Sequence, residues 1–276
     1  MGSKGTRGIL NPAEGFAHFQ LEREAPPPDL AWFVEAFWRV SWDLEGRSPF
    51  AQEILPYPCV NVSFEHGRFE VHGPGTRRFV AELSGRGSVF GTKFTPAGFS
   101  ALASVPVRSL VDRVVSLEEA TGRSLSPRGD DADAVRDGVI AFLRDAAPER
   151  DATITSVDAL VARAQEDRSI AQAEDLARVA GVSLRSLQRL LERHVGVGPK
   201  WIVRRSRVQE AADRVARGEH VDWARTAQDL GYHDQAHLIR DFRAQVGFTP
   251  AAYAKRCASA LAEARTSSTS AKARLG

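Results

Sequence analysis

Residues 176–201 read LARVAGVSLRSLQRLLERHVGVGPKW, and residues 226–253 read TAQDLGYHDQAHLIRDFRAQVGFTPAAY. These are two versions of one unit, about 50 residues apart. Ala177 stands four residues before Gly181, and Ala227 four before Gly231. Leu187 and Arg189 answer to Leu238 and Arg240. Val195-Gly196 leads to Pro199 and Trp201, as Val246-Gly247 leads to Pro250 and Tyr253. Gly181 and Gly196 are 15 residues apart, whereas Gly231 and Gly247 are 16 apart, so the second unit carries one extra residue within Tyr232-His233-Asp234.

Each shared position has a physical reason. Two short helices that cross steeply make a helix-turn-helix. Gly181 and Gly231 fall where the first helix must end in a left-handed residue, which glycine adopts without strain. Ala177 and Ala227 are small where that helix passes its partner. Ser183 and Asp234 can cap the following helix, because their side-chain oxygens accept from its unpaired backbone N–H groups. In the second helix of the first unit, Leu187, Leu190 and Leu191 recur at i, i+3 and i+4 and are expected inside. Arg185, Gln188 and Arg189 then share another face at the same spacing. In the second unit Leu238 and Phe242 are expected inside, with Gln235, Ile239 and Arg240 outward and His237 beside them.

Arg and Gln are the residue types that read base edges. Arg donates two hydrogen bonds to guanine O6 and N7, and Gln matches adenine N6 and N7. Any amphipathic helix exposes such residues; two copies with matched Ala, Gly, Leu, Arg, Gly and Pro are harder to explain without DNA. Between the units, Ile202, Val208, Ala211, Ala212 and Val215 recur at helical spacing. One helix there would fix the separation of the units. At about 34 Å, the two reading helices would enter successive major grooves on one face of DNA. Lys200, Arg204, Arg205 and Arg207 are the expected phosphate contacts, giving salt-dependent affinity without sequence information.

The rest of the chain supports this reading. Of 276 residues, 43% are apolar and 26% charged, an ordinary globular balance that excludes collagen-like, disordered and disulfide-scaffold chains. Residues 1–125 carry a net charge of −1, residues 126–168 −4 and residues 169–276 +7, which sum to the +2 of the whole chain. A basic C-terminal third behind an acidic connector suits a nucleic-acid module. No apolar run is long enough for a membrane span or a signal peptide, and Cys59 and Cys257 are isolated. A cytoplasmic setting follows as an expectation.

The fold class expected is α+β: a β-rich N-terminal domain, a helical connector, and an all-α C-terminal domain with two helix-turn-helix units. The expected boundaries are a flexible arm at 1–12, a sensor or dimerisation domain at 13–125, the connector at 126–168, the DNA-binding domain at 169–258 and a partly disordered tail at 259–276. Val60, Val62 and Phe64 alternate with polar residues, as a strand requires. Asp29 to Val40 and residues 109–119 read as helical. In the connector, Val135, Val139, Ile140, Phe142 and Leu143 form a stripe, with a second helix over 154–165. Val139 and Leu143 are expected at a dimer or interdomain seam.

The run Leu176 to Arg189, Arg207-Val208 with Ala211, and Ala227 to Tyr253 with Gly231-Tyr232, Arg240-Asp241-Phe242 and Gly247-Phe248-Thr249-Pro250 resemble the DNA-binding module of AraC/XylS-type transcriptional regulators. The resemblance implies promoter binding by both units. The base-reading positions carried over are Arg185, Gln188 and Arg189, then Gln235, His237, Ile239 and Arg240. Trp201 stands where the family usually has Tyr, and Leu191 where Phe is common. Ile239 replaces a small polar residue, so a thymine methyl is its expected contact. Leu55-Pro56, Gly91 to Gly98 and Asp112 to Glu118 resemble, more loosely, a sensor domain of the same family. That implies a small-molecule effector or homodimerisation, with RNA polymerase a partner if the protein activates.

Other constellations carry less. His66 and His72 flank Glu65 and Glu70, and His233 and His237 are i, i+4, but neither set has the pattern of a metal site. No catalytic motif or phosphate loop occurs, and no enzyme activity, cofactor or metal is expected. Trp32, Trp38, Trp42, Phe64 and Phe90 are the candidate walls of an effector pocket, with a plain core role as the competing reading. The runner-up function is a small-molecule sensor or enzyme whose helical module no longer binds DNA.

Overall fold

The computed structural model describes residues 8–126, 131–146, 149–219 and 221–273. Its strands are β1 (Gln20–Glu24), β2 (Val34–Leu44), β3 (Phe50–Ile54), β4 (Asn61–Glu65), β5 (Arg68–His72), β6 (Phe79–Leu83), β7 (Gly85–Phe94) and β8 (Val114–Ser116). An antiparallel sheet runs β1-β2-β7-β4-β5-β8, and β3 pairs with β6. The alternation at Val60 to Phe64 gives a strand as expected. A two-residue turn at His66-Gly67, both at positive φ, joins β4 to β5 with Glu65 opposite Arg68. His66 is therefore a hairpin residue exposed at the turn.

Phe37, Phe64, Phe69, Phe90 and Phe94 line one face of the large sheet and form its core. On the other face Trp38 lies over Gly91 and Trp42 over Gly87, so closely that a Cβ at either glycine would fall within 2.3 Å of the indole. Trp38 Nε1 donates to Asn61 Oδ1 at 3.3 Å, and Trp42 Nε1 to the Ser84 carbonyl at 3.1 Å. A smaller core of Phe19, Leu44 and Leu83 forms beside Trp42 and Phe50.

The helices are α1 (Pro12–Gly15), α2 (Leu117–Thr121), α3 (Ala132–Ala146), α4 (Ala152–Glu166), α5 (Ala173–Ala180), α6 (Leu184–His194), α7 (Pro199–Ala216), α8 (Trp223–Asp229), α9 (Gln235–Val246) and α10 (Pro250–Ala273). The two connector helices belong to different cores. Val135, Val139 and Leu143 of α3 close the β-domain core under Phe94 and Phe99. Ile154, Val157 and Val161 of α4 join Leu176, Leu187 and Ile202 in the first helical core. Val139 and Leu143 are thus core residues, not the seam expected from sequence.

Four local expectations are overturned. Residues 34–40 are strand, because their side chains alternate between the Phe core and the glycine-lined face and both neighbouring strands supply hydrogen bonds. The helix expected over 109–119 is a 3-10 turn (Val107–Leu110), then β8, then α2. Asp112, at positive φ, breaks the period and accepts from the Thr76 backbone N–H at 2.6 Å. The arm is tied down from residue 8: Leu55 N–H donates to the Gly8 carbonyl, Leu10 is buried, and Asn11 N–H donates to Tyr253 Oη at 3.1 Å. Residues 1–7 lie outside the described residues. Finally, α10 runs through Ala273, where a disordered tail was expected; no Gly or Pro occurs between Pro250 and Leu275 to stop it.

The N-terminal domain is clamped onto the helices by polar contacts. Glu53 accepts from Arg78 and, at 2.8 Å, from Arg256 of α10. Asp158 of α4 accepts from the Ala97 N–H at 2.7 Å. Burial raises the Asp158 carboxyl to about 6, against the hydrogen bonds from Thr95 and Ala97 that oppose the rise. The folded state therefore holds this proton more tightly than the unfolded chain. The stability it contributes is complete below the unfolded value near 4 and is lost as pH rises through about 6. Asp158→Asn keeps the acceptor for Ala97 and removes the titration. Its Tm should fall less than that of the wild type between pH 5 and pH 7.5 in thermal melts; parallel pH profiles would contradict this assignment.

Candidate nucleic-acid interface

The repeat seen in the sequence is reproduced in the backbone. After α5, Gly181 takes φ 67°, its N–H donates to the Arg178 carbonyl, and Val182 N–H reaches back to Ala177. After α8, Gly231 takes φ 72°, its N–H donates to Gln228, and Tyr232 N–H reaches back to Ala227. Both are the same two-bond, left-handed helix ending. Ser183 then caps α6 by accepting from Ser186 N–H, and Asp234 caps α9 by accepting from His237 N–H at 2.7 Å. The extra residue of the second unit lies between Gly231 and this cap.

On α6, Leu187 and Leu191 are buried, while Arg185, Gln188 and Arg189 are all exposed on the outer side. Neither Arg185 nor Arg189 has an ion-pair partner among the described residues. Gln188 Nε2 bonds Glu192 at 2.9 Å. Leu190, expected in the core, is half-buried at the side of the helix, where it lines a cleft. On α9, Leu238 and Phe242 are buried and Gln235 and Arg240 exposed. Ile239 is half-buried. His237 is half-buried too, edge-on to the Tyr232 ring at 5.1 Å and 3.8 Å from Asp241.

The expected phosphate set divides. Lys200 is exposed. Arg204 forms a two-pronged pair with the buried Asp241 of α9, its Nε donating at 2.8 Å, which braces α7 against α9. Arg205 and Arg207 are 1% and 2% exposed and face inward, which overturns the sequence expectation. Arg205 Nε donates to the Pro56 carbonyl at 2.7 Å and Nη2 to Gln209 at 2.8 Å, beneath the Tyr57 ring. Arg207 Nη2 donates to the carbonyls of Asp167 and Ile170, just beyond α4, a favourable place for a cation. The sequence alone suggests a helix with a free basic face at α7. Instead α7 is packed on several sides, and its arginines satisfy carbonyls that would otherwise be buried unpaired.

The supposed effector walls do not converge. Trp38 and Trp42 lie on the glycine-lined face of the sheet, and Phe64 and Phe90 in the core on the opposite face. Trp32 packs at the edge where two cores meet. A cleft lies elsewhere, between the N-terminal domain and α6. Sequence reasoning missed Arg108, Arg193 and His194 of that cleft; Arg193 stands four residues after Arg189, but nothing in the sequence places Arg108 opposite them. Among the described residues no cluster of His, Cys, Asp or Glu could hold a metal, and no helix is long and apolar enough to cross a membrane.

The two turn glycines differ in one respect. A Cβ on Gly181 would meet nothing within 4 Å, whereas one on Gly231 would stand 2.7 Å from Ala171 Cβ. Gly181→Ala should cost only the left-handed strain, about 1–2 kcal/mol. Gly231→Ala should cost distinctly more. Chemical denaturation of both variants measures the difference; equal losses would mean that Ala171 yields freely.

Residues 176–256 match the family described as a helix-turn-helix domain, and residues 22–116 match a domain of unknown function (DUF6597). Among curated proteins, none matches the chain. Solved structures with similarity include the C-terminal domain of AraT, a response regulator from Geobacillus stearothermophilus, at 22% identity over 35% of this chain and 84% of that one, with a TM-score of 0.31. ToxT from Vibrio cholerae aligns at 10% identity over 87% of this chain and 98% of its own, with a TM-score of 0.40. A ToxT structure with an unsaturated fatty acid bound aligns at 10% identity over 86% and 95%, with a TM-score of 0.36. The matched helix-turn-helix family, the twofold turn–cap–helix geometry and the outward arginines agree: residues 176–256 of the chain form a helix-turn-helix domain with two copies of the unit.

Proposed function

We propose that both units read one continuous promoter sequence, α6 through Arg185, Gln188 and Arg189, and α9 through Gln235, Ile239 and Arg240. His237 serves mainly to hold α9 in its unit. The observation that carries this reading is the outward, unpaired Arg185–Arg189 face on a helix capped and terminated like its second copy. The 18 residues of α7 make a rod about 27 Å long at 1.5 Å per residue, of the right order for spanning neighbouring major grooves. A helical module that has lost DNA binding would have no use for that unpaired face, so the runner-up reading is not favoured. Lys200 supplies phosphate affinity. The N-terminal domain acts as the regulatory partner of this module, in the compartment that holds the DNA. Homodimerisation and contact with RNA polymerase are further steps that an activator of this kind would use.

Selection of bound duplexes from a random pool, followed by titration, tests the assignment. Arg185→Ala should cost about 1–3 kcal/mol on the selected site and relax preference at one base position. A uniform loss on all sequences would leave Arg185 only a phosphate contact. Lys200→Ala should lower the salt slope by about one, whereas Arg207→Ala should lower Tm and leave that slope unchanged. A reduced slope in Arg207→Ala would restore it to the phosphate set.

A further inference from the structure

Glu192 is the only acid on α6, and its place is unfavourable for an acid in two ways. It stands in the last helical turn, where the macrodipole favours cations, and Arg193 and His194 follow it. It also belongs to the helix whose outer side carries Arg185, Gln188 and Arg189, the side proposed to meet DNA. Its carboxylate accepts from Gln188, one turn back, with Nε2 and Oε1 2.9 Å apart. We infer that Glu192 is a positioning residue: it fixes the Gln188 side-chain amide in one orientation and so selects adenine over guanine at the base that Gln188 meets. The inference rests on the proposed base-reading role of Gln188.

The selectivity follows from counting donors and acceptors. A glutamine amide has one oxygen that accepts and two N–H groups that donate. Free to turn over, it can offer the oxygen and one N–H to adenine N6 and N7, or both N–H groups to guanine O6 and N7. An ionised carboxylate only accepts. Bonded to Glu192, the amide gives up one N–H, and the oxygen and one N–H remain. That pair complements adenine and lacks the second donor that guanine needs. The turned-over amide would set Gln188 Oε1 against the Glu192 carboxylate, two acceptors facing each other with no proton between them, so it is disfavoured.

The surroundings hold the pair in place. Glu192 is half-buried, and a Cβ on Gly198 would stand 3.9 Å from Gln188 Cγ and 4.0 Å from Glu192 Oε1. The stem of one and the carboxylate of the other thus lie beside the start of α7, and a helix N-terminus favours negative charge. Among the described residues no cation pairs with Glu192. The second copy of the unit supplies a contrast. Leu187 and Arg189 match Leu238 and Arg240, so Gln188 matches Ile239 and Glu192 matches Arg243. Where the unit has no amide to orient, the acid is absent too, and a cation takes its place.

Titration of the full chain with selected duplexes altered at single base pairs tests this. Gln188→Ala locates the position, by losing base preference there alone. At that position the wild type should prefer adenine over guanine about tenfold. Glu192→Ala should reduce this ratio to about twofold and leave the position read by Arg185 unchanged. The ratio is the readout because deleting an acid near phosphates raises affinity for every duplex alike. Glu192→Gln, a change of the same size, still offers Gln188 an oxygen but can also donate to Gln188 Oε1. Both amide orientations are then supported, and the ratio should fall here too. A purely structural Glu192 would shift Tm and the affinity for all duplexes, not this one ratio. Wild-type preference for guanine at the Gln188 position, or an unchanged ratio in either Glu192 variant, would overturn the inference and leave the base contact of Gln188 standing. If Gln188→Ala alters preference at no position, the base-reading assignment of Gln188 fails instead, and the inference with it.

Discussion

The arrangement of this protein depends on a buried guanidinium. Arg205 sits in the middle of α7, almost wholly excluded from solvent, under a loop of the N-terminal domain. A charge in such a place is costly to bury, and removing one partner of a buried charge typically costs several kcal/mol. The Pro56 carbonyl and Gln209 meet it from two directions, and the Tyr57 ring covers it at 5.0 Å. Lys93 approaches that ring at 4.1 Å, and Gln165 of α4 bonds its hydroxyl. Strands, connector and central helix thus meet at one aromatic ring. Separating the domains would strip Arg205 of Pro56 and Tyr57 together.

That contact fixes where everything else lies. With α7 held beneath the β-domain, α6 is carried against the segment following Phe99, and Gly196 packs against Pro74, Val107 and Val111. The second unit is held independently. Leu10 and Leu55 enter its core, and Arg78 and Arg256 flank both Glu53 and the Phe248 ring. The N-terminal domain therefore touches both helix-turn-helix units through separate sets of residues. A disturbance in one strand region need not reach both helices equally.

The helical third was legible because its constraints are local. A left-handed glycine, a capping oxygen three residues before the N–H it accepts from, and an i, i+3, i+4 stripe can be read without knowing what lies opposite. The β-domain was legible only in part. Val62 and Phe64 show their alternation, but Val34 to Val40 do not: Trp38 is a large residue on the face opposite Phe37, and only Gly91 across the ladder makes room for it. The failures on α7 have the same origin. Arg205 and Arg207 look like free surface cations until the carbonyls of Pro56, Asp167 and Ile170, remote in sequence, are brought to them. The aromatic residues do not form one pocket wall, because aromatic composition says nothing about which side of a sheet a ring occupies.

The single extra residue between Gly231 and Asp234 has a consequence of its own. It starts α9 one position later than α6 after an otherwise identical turn, so the two copies do not present equivalent side chains at equivalent angles. Their outward sets differ accordingly: two arginines and a glutamine are exposed in one, against a glutamine and an arginine in the other, with Ile239 half-buried between them. On the proposed reading, a duplex that satisfies both would not be a repeat of one short word, in either orientation. It would have a left end and a right end, and the bound molecule would lie along it with a single polarity, its β-domain displaced toward a defined side of the site.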